Sequence, residues 1–575
     1  MPTKQNIRTH YTALAHQYDL PFRSLSALTV TPHLLQTDKR SEYIRLQAIP
    51  ISQTKNTLTV ATANPTPKNI KKINDFLGKT VQNIKYVVAS MQDISAILAS
   101  RFETEYAHII THGRDDLDIE HSASYTFSWA IRIFLGISLF LLLFAAVGNF
   151  FYTALWVNAF LGAGTLIIMS YKMGLMLHTW RYLKPGQDIH LPPQTTLPMY
   201  TVLIPLLREK KGTIALLLDA LNRLDYPPEK LDIKLLLEQD DQKTLAALQH
   251  FDLPWYYHIL LVPPGTPRSK PRACNYGLQF ALGKYLTIFD GEDRPDADQL
   301  KKALQKFKAS NDNVACVQAA LNFYNYRENI ITRLFTIEYT YWFDYLIPAL
   351  DSLRAPVPLG GTSNHFITDV LHKIGGWDPF IGTEDAEIGV RLYRHGYRVE
   401  ALRSTTYEEA NTHLISWFFQ RTRWNKGYMQ TYLVNMRDPI QMIKQIGPWR
   451  FLNFQFFVGG NVFIQLANLP LWIFLLSTIF FYNAQVASLY PKLLYYLTVF
   501  NFLGSNLILL ITQFIATYNR RLYKLLPFVP LKLLYWMMMS LAGYYAIIEL
   551  LMRPGYWYKT EHGRSKQSSK TDIPI

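Results

Sequence analysis

The sequence predicts an α/β protein in which a soluble domain lies between membrane helices, with a second, smaller α/β domain before them. Two observations predict this arrangement. Four long apolar stretches with few or no charges divide the chain. Before and between them, strand-like and helix-like segments alternate in two regions of mixed polarity. A chain of 575 residues also fits several domains better than one core.

The first apolar stretch predicts a helical hairpin. From Ile133 to Tyr171 no side chain is charged, a run of 39 residues. As one helix this run would be roughly 58 Å long, against a hydrocarbon core of about 30 Å. We therefore expect two membrane helices within residues 127–175, with a turn near Gly148-Asn149.

Three more apolar stretches follow the central soluble region and leave the topology open. They cover residues 451–491, 493–519 and 525–552. If each crosses the membrane once, the C-terminal tail ends on the side opposite the central domain. The basic tail after Arg553 favours the cytoplasmic side. One stretch therefore lies partly along the interface, or one crosses twice.

Charge and cysteine usage restrict the partners. The net charge of +15 fits positive-inside topology and attraction to anionic lipid. No basic cluster interleaved with stacking aromatics indicates nucleic-acid binding. The two cysteines, Cys274 and Cys316, lie in the presumed cytoplasmic region, where disulfides are rare, and have no metal-binding spacing. The first 30 residues lack the apolar core of a secretory signal.

The chain divides into seven parts. In order, they are a small α/β domain (1–115), a linker (116–126), the hairpin (127–175), an exit linker (176–197), the central domain (198–435), interfacial and transmembrane helices (436–552) and a basic tail (553–575).

Alternating patterns predict the elements of the two soluble domains. In the small domain we expect strands at 58–63 and 84–89 and helices at 69–77 and 91–102. In the central domain we expect strands beginning at Tyr200, Asp232, Tyr285 and Val314, with helices such as 213–224 and 297–309 between them. This alternation predicts a mostly parallel sheet. Ligands bind beyond the carboxyl ends of the strands in such sheets.

Three acidic segments and one aromatic-basic segment stand out in the central domain. They are Glu238-Gln239-Asp240-Asp241, Asp290-Gly291-Glu292-Asp293, Gly382-Thr383-Glu384-Asp385 and Gln420-Arg421-Thr422-Arg423-Trp424. Taken alone, each is more often a solvated loop or a packed surface. In this order and spacing, they resemble the D, D-x-D, T/G-E-D and Q-x-x-R-W series of processive family 2 glycosyltransferases, which include cellulose and hyaluronan synthases.

The resemblance implies a fold and an activity. The central domain would have the Rossmann-like GT-A fold and lie in the cytoplasm of a bacterium, inserted between helices of the inner membrane. The enzyme would use a UDP-sugar, with UDP-glucose as the first candidate. It would elongate a β-linked exopolysaccharide with inversion and extrude it across the membrane.

The resemblance also implies catalytic and acceptor residues. Asp385 would be the general base that takes the proton from the acceptor hydroxyl. Glu384 would orient Asp385 or contact the acceptor. A single displacement needs no nucleophilic carboxylate, unlike a retaining hydrolase. The residues expected to face the acceptor are Gly361, Thr362, Gln420 and Trp424.

The donor diphosphate gains negative charge as it leaves, and a divalent ion held by carboxylates can stabilise that charge. By resemblance, Asp290 and Glu292 occupy the D-x-D positions for Mg²⁺ or Mn²⁺. Because Asp293 follows directly, the second ligand is either Glu292 or Asp293. Further donor contacts are expected from Glu209, Asp240 or Asp241, Lys270 and Arg423.

The C-terminal segment Trp557-x-Lys559-Thr560-x-His562 resembles a gating motif that closes over bound nucleotide in related synthases. By that resemblance, Lys559, Thr560 and His562 contact the donor, while Trp557 faces the acceptor. The alternative is an interfacial aromatic belt with basic anchors.

Residues 18–102 resemble the N-terminal domain of type II secretion ATPases. The segments that carry this resemblance are Leu20-Pro21, 46–51, 60–65 and 87–94. Some relatives bind cyclic di-GMP through a repeated Arg-Leu-Gly-x-x-Leu motif, which the sequence lacks. We therefore expect a docking or regulatory role, with further exopolysaccharide-secretion components as possible partners. A purely structural role is the alternative.

Two other functions stay open. One is transfer of a single sugar to a polyprenyl phosphate, and the other is a non-catalytic scaffold or receptor component built on a degenerate transferase. The Gln420–Trp424 motif and the long membrane region favour processive synthesis over the first. Intact Asp290, Asp385 and Arg423 argue against the second. The sequence does not determine the sugar or the linkage.

Overall fold

The computed structural model describes residues 2–26, 31–54, 57–77, 83–118, 122–125, 129–182, 197–480, 492–556 and 565. The N-terminal domain is a three-stranded sheet with helices. Its elements are α1 (Pro2–Gln17), α2 (Arg40–Leu46), β1 (Ala48–Gln53), β2 (Thr57–Thr62), α3 (Pro67–Leu77), β3 (Asn83–Val88), α4 (Met91–Arg101) and α5 (Glu103–Asp118).

Strand β2 lies in the centre of this sheet, antiparallel to β1 and parallel to β3. The predicted strands at 58–63 and 84–89 and the predicted helices at 69–77 and 91–102 are confirmed to within two residues. Helix α4 begins after Ser90, whose hydroxyl accepts a hydrogen bond from the Asp93 backbone N–H and so caps the helix. Helix α5 extends to Asp118, past the predicted domain boundary at 115.

Two long helices follow, α6 (Trp129–Gly148) and α7 (Phe150–Tyr182), with the turn where the sequence predicts it. Helix α7 continues beyond the predicted boundary at 175 because its last turns pack on the central domain. Thr179 Oγ donates to the Tyr345 carbonyl at 2.8 Å, and His178 Nε2 lies 3.0 Å from Ser352 Oγ.

The central domain contains an eight-stranded sheet between helices. Its elements are β4 (Tyr200–Leu206), α8 (Lys211–Asn222), β5 (Leu231–Glu238), α9 (Gln242–Leu248), β6 (Tyr257–Val262), α10 (Lys270–Gln279), β7 (Tyr285–Ile288), β8 (Arg294–Pro295), α11 (Gln299–Ala309), β9 (Val314–Phe323), α12 (Ile330–Tyr341), α13 (Ile347–Ser352), β10 (Asn364–Ile367), α14 (Thr368–Lys373), α15 (Glu384–Arg394), β11 (Arg398–Glu408) and α16 (Leu414–Asn435). A π-helical turn, Trp342–Leu346, joins α12 to α13.

The strand order is β6-β5-β4-β7-β10-β9-β11-β8. Strands β6, β5, β4 and β7 are parallel, as are β9 and β11. Strand β10 is antiparallel to both neighbours, and β8 is antiparallel to β11. The sheet is therefore mixed, with the GT-A-like arrangement.

The described C-terminal region is helical up to Met552. Its elements are α17 (Pro439–Ile446), α18 (Pro448–Phe454), a π-helical turn (Gln455–Gly459), α19 (Gly460–Phe480), α20 (Lys492–Asn519), a 3-10 segment (Tyr523–Leu531) and α21 (Lys532–Met552). Five helical spans in the described chain are long and apolar enough to cross a membrane, namely 131–148, 152–181, 448–477, 499–519 and 523–552.

Helix α21 runs beside α16 of the central domain at both of its ends. Near its start, the Trp417 indole N–H donates to Tyr535 Oη at 3.2 Å. Just after its end, Gln430 Nε2 donates to the Pro554 carbonyl at 3.3 Å. Although α21 is apolar enough to cross a membrane, it therefore begins and ends against the same soluble domain.

The N-terminal domain docks on α10. Tyr106 of α5 packs against Tyr276 and Phe280, with ring centroids 6.0 and 5.0 Å away. Arg272, which is fully buried, donates from Nε to Thr111 Oγ at 3.2 Å. In a second contact, the His10 ring stacks on the Trp255 ring, with the ring centroids 3.9 Å apart. These buried contacts join the two domains through one apolar core.

Candidate active site

One large cavity lies beyond the carboxyl ends of β4, β5 and β7 and continues between the membrane helices. Its volume is about 340 Å³, within the range of ligand-binding pockets. We call the part lined by Asp290, Asp385 and Arg423 its catalytic end. The part lined by Lys172, Asn461 and other residues of α7, α19 and α20 is its membrane end.

Lys270 and Asp290 form an ion pair at the catalytic end. Asp290 follows β7, and Lys270 is the first residue of α10. Lys270 Nζ lies 2.5 Å from Asp290 Oδ1 and donates to the Gly361 carbonyl at 2.7 Å. Burial lowers the pKa of Lys270, but the charges of Asp290 and Glu384 outweigh it, so that the pKa is raised overall. Lys270 therefore remains a cation.

Glu292 and Asp293 occupy different environments. Glu292 lines the cavity. Asp293 is buried, and its Oδ2 accepts hydrogen bonds from the Asp290 backbone N–H and from the Thr362 hydroxyl. Burial, together with the charges of Asp290 and Glu292, raises the pKa of Asp293 well above its usual range. Asp293 thus stabilises the turn after β7 and does not line the cavity. This favours Glu292 over Asp293 as the second metal ligand. Thr362 is buried with it and does not line the cavity either.

Glu384 and Asp385 occupy the first turn of α15 and line the cavity. Burial raises the pKa of Asp385 to about 6, while the Ala386 backbone N–H, Lys270 and Arg423 act in the opposite direction. Burial and the charge of Asp385 raise the pKa of Glu384 to about 7. Such a pair titrates jointly, and Asp385 has the pKa of a base that works near neutral pH.

Helix α16 closes the other side of the catalytic end and brings Gln420, Arg423 and Trp424 to the cavity. Arg423 Nη1 donates to the Gly382 carbonyl at 3.5 Å. Gly427 allows this close approach, because a Cβ there would lie 2.4 Å from Thr383 Oγ. The glycine thus fixes α16 against the segment that carries Asp385.

The loops after β4 and β5 carry the acidic residues from which the sequence predicts donor contacts. Glu209 lines the cavity, but the two aspartates after β5 do not. Asp241 is buried and caps α9 through Thr244, and it also accepts the Arg208 backbone N–H at 2.5 Å. Asp240 is exposed and paired with Arg268 at 2.5 Å. Asp241 therefore holds the loop that carries Glu209, and Asp240 is the more accessible of the pair.

Sequence reasoning missed two acidic residues at the catalytic end, Glu408 and Glu409, which line the cavity where β11 ends. Burial and the charges of Asp293, Glu292 and Asp290 raise the pKa of Glu408 well above its usual range. The rule that identified Asp290 would have found this pair had β11 been predicted.

The C-terminal motif Trp557, Lys559, Thr560 and His562 lies outside the described residues. Ser565, which follows it, is described and buried. Its backbone N–H donates to Glu409 Oε1 at 2.9 Å, and its hydroxyl contacts Glu328. Ser565 therefore lies against the central domain beside the catalytic end.

Both apolar and polar side chains line the membrane end. Asn461, Gln465 and Asn468 recur at helical spacing along one face of α19, and Thr512 and Gln513 face them from α20. A second, separate cavity of about 20 Å³ shares Asn468 and is also lined by Thr165, Asn501 and Ser505. Polar side chains are thus present in both cavities between α7, α19 and α20.

Family comparisons agree with these features. Residues 285–548 match Glycosyl transferase family group 2, and residues 201–362 match Glycosyl transferase family 2. Residues 18–108 match the MshEN domain.

Among curated proteins, the chain is 25% identical over 237 residues to "Probable glycosyltransferase YdaM" of Bacillus subtilis (strain 168), covering 40% of this chain and 55% of that protein. It is 24% identical over 324 residues to "Probable glucomannan 4-beta-mannosyltransferase 3" of Arabidopsis thaliana, covering 54% of this chain and 57% of that protein. The chain therefore spans little more than half the length of these relatives.

Among solved structures, the chain is similar to "Mannosyltransferase PcManGT from Pyrobaculum calidifontis in complex with GDP-Man and Mn2+". The identity is 18% and the TM-score 0.45, and the match covers 68% of this chain and 99% of that chain.

The different environments of Glu292 and Asp293 lead to a paired prediction. Glu292→Gln should weaken Mn²⁺ binding in the presence of a nucleoside diphosphate at least tenfold, with little change in the unfolding midpoint. Asp293→Ala removes the acceptor of two buried hydrogen bonds and should cost about 1–3 kcal/mol of stability. Electron paramagnetic resonance of bound Mn²⁺ and thermal unfolding measure the two effects. The reverse pattern would assign the metal ligand to Asp293.

Proposed function

We propose that this chain is a membrane-embedded polysaccharide synthase. It carries family 2 glycosyltransferase domains over residues 201–548 and an MshEN domain before them. Its relatives that are named as glycosyltransferases support a hexosyltransferase. The enzyme transfers a hexose from a UDP-sugar to a growing β-linked glycan with inversion, and moves the product between its membrane helices. We place it in a bacterial inner membrane, with the N-terminal and central domains in the cytoplasm.

One observation carries this proposal. The cavity that holds Asp290, Asp385 and Arg423 is continuous with a space between α7, α19 and α20 whose lining includes a row of amides. A soluble acceptor would need no such extension. A growing glycan does, because its hydroxyl groups must keep hydrogen-bonding partners while it passes through the hydrocarbon layer.

In the proposed reaction, Asp385 takes the proton from an acceptor hydroxyl. The oxygen attacks the anomeric carbon of the donor, and the bond from that carbon to the diphosphate breaks. The pKa of about 6 leaves Asp385 ionised at neutral pH. Arg423 and Lys270 line the cavity on the side where the diphosphate would gain negative charge. Their positive charges would stabilise that charge without any rearrangement of the side chains.

The residues present fit a divalent ion. In the described part of the chain, no group of three or more His, Cys, Asp or Glu side chains could hold a metal by itself. Mg²⁺, however, is commonly bound by one or two carboxylates together with substrate phosphates. Asp290 and Glu292, which both line the cavity, would supply those carboxylates. The ion would neutralise the leaving diphosphate.

The acceptor sugar would bind against Trp424. This ring lines the cavity and is held by Tyr339, whose ring centroid is 6.1 Å away at 28°. An aromatic face so fixed offers a stacking surface for a sugar ring. Gln420 lines the cavity one helical turn earlier and can hydrogen-bond a sugar hydroxyl.

Transfer of one sugar to a polyprenyl phosphate is the alternative. An isoprenoid chain would need an apolar groove, whereas Asn461, Gln465 and Asn468 place amides along the membrane end. This row of amides favours a glycan.

Donor use tests the proposal. The full-length protein in detergent or nanodiscs with Mn²⁺ should polymerise one member of a panel of radiolabelled nucleotide sugars. GDP-mannose belongs in that panel because one relative is named as a mannosyltransferase. Asp385→Asn should lower the rate at least 100-fold, within the range that general-base loss produces, and leave donor binding intact.

Lys308→Met, on the exposed surface of α11, is the matched control. Polymer made equally by Asp385→Asn contradicts the assigned base. A single sugar on lipid selects the alternative, and no transfer from any donor overturns the proposal.

The contacts of α21 with α16 also suggest how the chain is arranged across the membrane. With α6, α7, α19 and α20 as the crossing helices and α21 along the interface, the tail lies on the same side as the central domain. In membrane vesicles of known orientation, a single cysteine at position 570 should react with an impermeant maleimide only from the cytoplasmic side. Cys274 and Cys316 are buried, so the protein without the added cysteine measures the background labelling. Labelling from the outside would show that α21 crosses.

A further inference from the structure

Lys172 is a basic residue within α7, the longest apolar helix in the described part of the chain. It lies on α7, nine residues before Arg181, or about 14 Å along the helix. It lines the membrane end of the cavity, and its Nζ donates to Asn461 Oδ1 at 2.5 Å. Within the described structure, no carboxylate lies within 4.0 Å of this amine. Ionisable groups at such positions are costly and commonly mark a functional site.

Lys172 has no carboxylate of its own. Glu338 of α12 is the carboxylate that attracts it. Arg421 already binds Glu338 at 2.7 Å, and Lys532 lies 3.9 Å from the same carboxylate. An amine near the membrane whose counter-ion is shared in this way is stabilised when an anion joins it.

Unused hydrogen-bonding groups lie beside Lys172. Asn461 Nδ2, Asn468 Nδ2 and Gln513 Oε1 are buried and have no hydrogen-bond partner within the described structure. All three residues line the cavity at its membrane end. Buried amide groups without partners carry a cost that a bound polar molecule removes. The space is thus shaped for a ligand with many hydroxyl groups and one anionic group.

Building on the proposed function, we propose that this space is an anion-selective subsite for the growing glycan, in which Lys172 binds the carboxylate of a uronic acid unit. Asn461 orients the amine, while the amides of α19 and α20 bind the neighbouring hydroxyls. The transferred sugar would then be a hexuronic acid, and the product an acidic β-linked polysaccharide. A lipid phosphate could also pair with Lys172, but its tail would leave the amides unpaired, so a sugar carboxylate fits better.

Binding without any donor tests this proposal separately from catalysis. The ligands are a β-1,4-linked glucose tetramer and the same tetramer with its hydroxymethyl groups oxidised to carboxylates. The full-length protein in nanodiscs should bind the oxidised tetramer at least tenfold more tightly, the scale of one charge-assisted hydrogen bond. Isothermal titration calorimetry at low ionic strength measures both affinities, and a short-chain isoprenoid phosphate is the third ligand.

Lys172→Met should remove the preference for the oxidised tetramer, and Lys172→Arg should retain it. Asn461→Asp places a carboxylate beside the amine and should also remove the preference, so that a folded variant is available if Lys172→Met does not fold. Lys308→Met is the control and should bind as the wild-type protein does.

Equal binding of the two tetramers by the wild-type protein, or no binding of either, overturns the proposal. So does a preference that survives in both Lys172→Met and Asn461→Asp. Tighter binding of the isoprenoid phosphate, lost in Lys172→Met, would assign the subsite to a lipid phosphate. Sugar transfer is measured on the same preparations. Its absence contradicts the proposed function alone, whereas transfer without anion preference contradicts only the subsite.

Discussion

The ion pair between Lys270 and Asp290 ties together the elements on which the site depends. It joins the first turn of α10 to the end of β7, and the Gly361 carbonyl adds the loop before β10. Without the lysine, Asp290, Glu292, Glu384 and Asp385 would crowd acidic groups into one partly buried space, where like charges raise each other's pKa. With it, the charge of Lys270 opposes the effect of burial on Asp385, whose pKa stays close to that of a useful base.

The same helix connects the site to the N-terminal domain. Lys270 begins α10, and two residues later Arg272 is buried against Thr111 of α5. Further along, Tyr276 packs on Tyr106. Any change that shifts α5 must therefore move or strain the helix that carries the lysine, because packed interiors have few alternative arrangements. This gives the MshEN domain a physical route to the active site, consistent with the docking or regulatory role that its sequence suggests.

In the central domain, the sequence predicted four strands that precede motifs or lie between them, and it missed β6, β8, β10 and β11. Strong apolar patterns predicted the strands β4, β5, β7 and β9. The ordered motifs predicted Asp290, Asp385, Arg423 and Trp424 as residues of the site. Strands β8 and β10 are too short for a periodic pattern and exist through pairing with β11 and with β7 and β9. The roles of Asp241 and Asp293 depend on buried hydrogen bonds that include Arg208 and Thr362, which lie far along the chain, so that no spacing shows them. In the sequence, Lys172 marks only the end of an apolar run. Its contact with Asn461 becomes visible only in the fold, where α19 packs beside α7.

The central claim is that Asp385 accepts a proton from the acceptor with a pKa set by burial and by Lys270 and Arg423. The pH dependence of the transfer rate at saturating donor tests it most directly. The rate should fall as the pH drops, with an apparent pKa between about 6 and 7, because the pKa is about 6 for Asp385 and about 7 for Glu384. A rate that stays constant from pH 8 to pH 5 would contradict this account, since an unprotonated carboxylate of ordinary pKa, or another base, would then be responsible.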